Sequence, residues 1–189
     1  MNKGNINMKA SKIFALSGLV MMMAAGSAMA ASPMTVTGSS VNFTGEVTDG
    51  ACGISAGSKD QTVKLATAPV SGIVKGSIYK PTEFDITLEG CSVDTYTTAS
   101  FNFTGNTVEG GILSNMAPQN SASGVGIQLV DMDSKPINVG DTGKGAKLNL
   151  AAGTANVARF TAGLYGLTTA SVVKSGTVSA TASFNIVYE

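Results

Sequence analysis

Few residues of this chain combine a reactive type with a useful spacing. Asp141-Thr142-Gly143 matches the short signature of aspartic proteases. That chemistry needs two carboxylates sharing one proton, hence two such motifs or a symmetric pair of chains. The sequence holds one, in a Gly-rich stretch, and reads as a β-turn. Asp131 and Asp133 alternate as calcium ligands do, but Lys135 and Pro136 follow where further oxygen donors and a glycine belong. Residues 140–147 resemble a phosphate loop only faintly, because no Gly-Lys is followed by Ser or Thr. Asn42-Phe43-Thr44 and Asn102-Phe103-Thr104 fit the glycosylation sequon, a pattern that alternating strands also produce. Arg159, the only arginine, stands among Phe160, Ala162 and Leu164 and is expected on the outer face of a strand. Histidine is absent, which removes imidazole acid–base catalysis, any Ser-His-Asp triad and the usual zinc sites. No catalytic residue, cofactor or metal site is expected, and the chain does not read as an enzyme.

The elements that would position such residues begin after a leader. Lys3, Lys9 and Lys12 precede a mostly apolar run over residues 13–25, and Ala28-Met29-Ala30 supplies the small residues that a signal peptidase reads. Residues 1–30 are therefore expected to be a secretory signal peptide, and Met8 alone could start it. The run is shorter than the roughly 20 residues of a membrane span, and no later run approaches one, so membrane insertion of the mature chain is not expected. Beyond Ala30, nine basic and twelve acidic residues leave a net charge of −3. This is not the clustered basic face that nucleic acid requires. The remaining length of about 159 residues suits one domain. A secreted destination is oxidising, so Cys52 and Cys91 are expected to form a disulfide, with two buried free thiols as the alternative. Closing a loop of about forty residues is worth roughly 4 kcal/mol in the chain-entropy model.

No stretch carries a convincing 3.6-residue period. Short alternating runs separated by Gly- and Asn-rich turns predict an all-β sandwich. Strands are expected over residues 61–66, 82–88, 100–104, 112–113, 124–130, 136–140, 147–150 and 156–167. The clearest run is the last, residues 176–189. Gly176, Val178, Ala180, Ala182, Phe184, Ile186 and Tyr188 occupy the even positions, and the odd ones are polar except Val187. A period of two over this length puts the even side chains into a core. Near the other end, Val41, Phe43, Gly45 and Val47 alternate with Asn42, Thr44, Glu46 and Thr48.

Taken together, these features resemble the pilins of chaperone–usher fimbriae, and among them the type 1-like major subunits. The resemblance rests on the leader, on residues 41–47 with their central Gly45, and on Cys52 followed by Gln61-Thr62-Val63-Lys64-Leu65. Cys91 about forty residues on, Arg159-Phe160-Thr161-Ala162, Gly176 fourteenth from the C-terminus and the penultimate Tyr188 complete it. It implies an incomplete immunoglobulin-like β-sandwich over residues 52–189, missing its last strand, with an N-terminal donor-strand extension over residues 31–51. Val41, Phe43, Gly45 and Val47 would be the donor face. The even residues from Gly176 to Tyr188 would line the acceptor and chaperone-binding strand. The implied partners are neighbouring subunits in a homopolymer, a periplasmic chaperone and an outer-membrane usher, and the implied location is a cell-surface fimbrium that supports adhesion. Asp49 is charged and lies on the donor parity, so the strand ends by Val47 or Thr48, or Asp49 sits at the groove mouth. The alternative is a minor or adaptor pilin or a tip-associated adhesin subunit, although tip adhesins usually add a lectin domain for which the length leaves no room.

Overall fold

The computed structural model describes residues 38–45, 47, 50–142 and 145–189. The expected leader lies outside the described residues, as do Glu46, Thr48, Asp49, Gly143 and Lys144. The chain divides into two units, Met1–Thr44 and Gly45–Glu189. In the first, residues 38–44 have no regular secondary structure, and Val41 and Phe43 are exposed.

The second unit is built of two antiparallel sheets, and its described residues include no α-helix. Ten strands follow in chain order: β1 (Gly53–Ile54), β2 (Ile78–Glu89), β3 (Thr98–Gly105), β4 (Thr107–Val108), β5 (Ile112–Ser114), β6 (Val125–Val130), β7 (Pro136–Ile137), β8 (Ala146–Asn149), β9 (Asn156–Gly166) and β10 (Ala182–Tyr188). The larger sheet has the order β1-β2-β9-β6-β5-β4, with β7 also paired to β6, and the smaller is β10-β3-β8. The period of two explains the layers. Phe84, Ile86 and Leu88 of β2 oppose Phe160, Ala158 and Asn156 of β9, while Phe101 and Phe103 of β3 oppose Ile186 and Phe184 of β10. Phe160 is fully buried and meets Phe101 and Phe103 edge-on across the sandwich, with ring centroids 5.4 and 5.1 Å apart, and stacks on Phe84 at 5.6 Å. Offset and edge-on contacts of this kind add about 0.5–1.5 kcal/mol per pair to the burial itself.

Strand ends define two poles. At the disulfide pole, Cys52 and Cys91 are bonded, with Cα atoms 4.2 Å apart. Asn156 donates to Cys91 Sγ and to the carbonyls of Ala151 and Thr154, and it accepts from Ala151 N–H. The opposite, loop pole gathers the start of β2, the end of β9 and the connections 115–124 and 167–181.

Several expected strands come out differently. Residues 61–66 form no strand. Val63 and Leu65 are half-buried as their alternation implies, yet residues 61–68 make no backbone hydrogen bond to a described residue. A ladder needs a neighbour, and none is present there among the described residues. The strand expected over residues 136–140 is cut to Pro136–Ile137, because Gly140 N–H turns to Phe103 O and Asp141 N–H closes a turn on Asn138 O. Strand β2 begins before residue 82, with a register shift between Tyr79 and Thr82. Lys80 has φ of 34° there and Pro81 has no N–H to offer, as a β-bulge permits. Residues 176–181 are not part of the final ladder, which covers Ala182–Tyr188 alone.

Candidate functional site: an unpaired strand edge

Among the described residues, strand β10 has a partner on one side only. It pairs with β3 from Ala182 opposite Gly105 to Tyr188 opposite Ala99, and it is one of the two outer strands of its sheet, β8 being the other. Glu189 and Thr98 exchange both backbone hydrogen bonds, at 3.0 Å each. In an antiparallel pair, hydrogen-bonded and non-bonded positions alternate. The odd residues therefore bond to β3, and the N–H and C=O groups of Ala182, Phe184, Ile186 and Tyr188 face the open side. The same even residues turn their side chains inward and are only half-buried, packed against the core with Val178, Ala180 and Leu65. A strand edge with unpaired backbone and an incompletely covered core beneath it is a template for another strand.

The opposite wall of this open side is the chain that follows Cys52. It tracks the free edge of β2: Ser55 N–H bonds Thr87 O, Thr87 N–H bonds Ser58 Oγ, and Gln61 Nε2 bonds Asp85 O. From there residues 61–68 run on without a ladder partner among the described residues. The two walls meet at the disulfide pole, where the Tyr188 hydroxyl donates to Cys52 O at 3.2 Å. Burial raises the Tyr188 phenol pKa above its ordinary value, so it stays a donor at neutral pH.

The other end is held by a polar hub that the sequence did not signal. Asn115 Nδ2 donates to Ser121 Oγ, Ala122 O and Thr177 O, and its Oδ1 accepts from Ala117 and Ser179 N–H. Met116 N–H bonds Ser179 O, and Thr177 exchanges backbone bonds with Asn120 and Ala122. A Cβ on Gly176 would collide with the backbone of residues 120–122, which accounts for glycine there. Residues 176–181 thus continue the line of β10 but are fastened to the 115–123 loop. Nothing local in the sequence marks Asn115 among its Gly-, Ser- and Asn-rich neighbours.

The remaining candidates resolve locally. Arg159 lies on the outer face, as expected, and makes two hydrogen bonds to its cross-strand partner Asp85, at 2.9 and 3.0 Å. These bonds hold the Asp85 carboxyl below its ordinary pKa and the guanidinium above its own. Asp131 Oδ1 accepts from Asp133 and Lys135 N–H and closes its own turn. Asn102 is buried within β3. Of the expected donor face, Val41, Phe43 and Val47 are exposed by 72, 90 and 100%, and nothing lies within 4 Å of where a Gly45 side chain would begin.

A two-sheet immunoglobulin-like sandwich whose last strand leaves its outer edge open above a half-covered core defines the class of incomplete β-domains that accept a strand. The particular family follows from comparison: the fimbrial protein family model matches residues 41–189, and the chain belongs to that family. It is 34% identical over 182 residues to the fimbrial subunit type 1 of Salmonella typhimurium, covering 92% of this chain and 95% of the relative. Among solved structures it is similar to a chaperone–usher pilus subunit at 26% identity and a TM-score of 0.70, covering 84% of this chain and all of that one. It is also similar to the P pilus rod subunit PapA at 25% identity and a TM-score of 0.63, covering 74% of this chain and all of that one.

Proposed function

We propose that this chain is a structural subunit of a chaperone–usher fimbria that polymerises by donor-strand exchange. The carrying observation is the open edge of β10 above half-buried Phe184, Ile186 and Tyr188. Residues 41–47 of the next copy fill it, with Val41, Phe43 and Val47 on the core and Gly45 where the groove is shallow. Main-chain bonds to the even residues of β10 give adhesion, and the alternating side chains give register. Covering Phe43 fully stabilises by roughly 2–3 kcal/mol. Before assembly a periplasmic chaperone lends a strand to the same edge, and an outer-membrane usher hands the subunit on to the cell surface. Residues 1–30 direct export and are removed.

The Tyr188–Cys52 contact argues for the donor's direction. A copy's own extension leaves from Cys52, at the C-terminal end of its own β10. A donor running parallel to β10 would bring its disulfide pole onto the acceptor's disulfide pole, a same-to-same contact that closes as a pair. An antiparallel donor brings disulfide pole to loop pole, a heterologous contact that stays open and grows a filament.

The test is a thermal melt of a chain shortened to begin at Thr48, with and without a peptide of residues 34–48. A large rise in Tm with peptide is expected. A stable body indifferent to the peptide would show that the sandwich is already complete, and the reading would fall.

A further inference from the structure

Apart from Val108 on β4, the large apolar side chains left exposed on the folded body lie toward its poles. Val70, Val74, Met116 and Val172 surround the loop pole, and Tyr96, Val157 and Val187 lie toward the disulfide pole. Tyr96 is 42% exposed and sits 6.4 Å, centroid to centroid, from the Tyr188 ring, beside the point where the extension departs. Met116 is 58% exposed and borders a shallow cavity of about 210 Å³, shared with Asn106, Ser114, Ser179, Ala180 and Thr181, at the loop-pole end of the acceptor edge.

Chain length decides what can cover that end. Five residue steps separate Val47 from Cys52, a reach of at most about 18 Å at roughly 3.6 Å per residue. An inserted antiparallel donor therefore keeps its own disulfide pole within that short reach of the acceptor's loop pole. Exposed apolar groups concentrated on facing surfaces mark a contact between copies. We infer that consecutive subunits share a second, body-to-body contact, in which Tyr96 of the donor copy packs against Met116 and its cavity on the acceptor copy. This rests on the donor-strand reading above. It adds to that reading a second copy as the occupant of the loop pole, and it makes the short tether the element that sets subunit spacing.

The test uses the full-length chain in assembled filaments, with Tyr96→benzoylphenylalanine as a photoreactive probe that leaves the disulfide untouched. Illumination should yield a ladder of covalent multimers, with position 96 of one chain joined to Met116 or residues 179–181 of another. Intact filaments without a ladder, or adducts to residues 91–97 of another chain, would overturn the contact. A second pair needs no probe. Tyr96→Glu and Met116→Lys should each shorten filaments several-fold, and the two together should restore length; failure of the pair to restore it also counts against the contact. The peptide melt separates the two claims. If the peptide stabilises the body but the ladder is missing, only the body contact falls; if the peptide does nothing, the donor-strand reading falls with it.

Discussion

Phe160 binds the two sheets into one core, so its truncation should be costly. Phe160→Ala is expected to destabilise the peptide-complemented domain by about 3–5 kcal/mol, read by denaturant unfolding. Tyr188→Phe keeps the packing and removes the bond to Cys52 O, so a loss of about 1 kcal/mol is expected in the same measurement. Gly45→Arg should abolish polymer while leaving the chaperone-bound subunit folded; filaments of ordinary length from that variant, seen by electron microscopy, would remove Gly45 from the donor role. The inward even positions of the last strand and the outward Arg159 were legible because a period of two assigns faces without knowing the partner. The bonds of Tyr188, Asn115 and Asn156 were not, because each joins residues whose proximity exists only once the sheets have formed.

Strand β10 and its forerunner show where sequence patterning stops informing. Alternation runs from Gly176 to Tyr188 with Val187 its one exception, yet the partner changes from the 115–123 loop to β3 along the way. Residues 61–66 alternate as a strand does and half-bury Val63 and Leu65, but hydrogen-bond partners are a tertiary fact. Strands β1 and β4 have two residues each, too few to show any period. The disulfide fastens the start of β1 to the end of β2, so Cys52→Ser with Cys91→Ser should lower the yield of chaperone complex; an unchanged yield would make the bond dispensable. Two carboxylates give the elements a pH dependence. Arg159 lowers the pKa of Asp85, and Glu109 is lowered by its bonds to Thr169 and Thr168 at the loop that follows β9. Groups with depressed folded values stabilise the fold fully above their ordinary values of 3.8 and 4.5, and that contribution disappears as pH falls through the lower folded values. Acid unfolding followed by circular dichroism should therefore be shallower for Asp85→Asn than for the parent chain.

On the proposed reading the molecule accepts a strand at one edge and donates one from its N-terminal extension, and that joint carries load from copy to copy. Pulling such a filament loads the inserted strand lengthwise, so its hydrogen bonds to the neighbour share the force in shear. The force then leaves the groove along the short tether and enters the next subunit at Cys52. Strand β1 offers two residue pairs to receive it and would peel. The Cys52–Cys91 bond instead passes the load directly to the end of β2, whose long pairing with β9 is the broadest ladder in the fold. On that reading the disulfide acts as a mechanical bolt, set where tension would otherwise open the subunit like a zip.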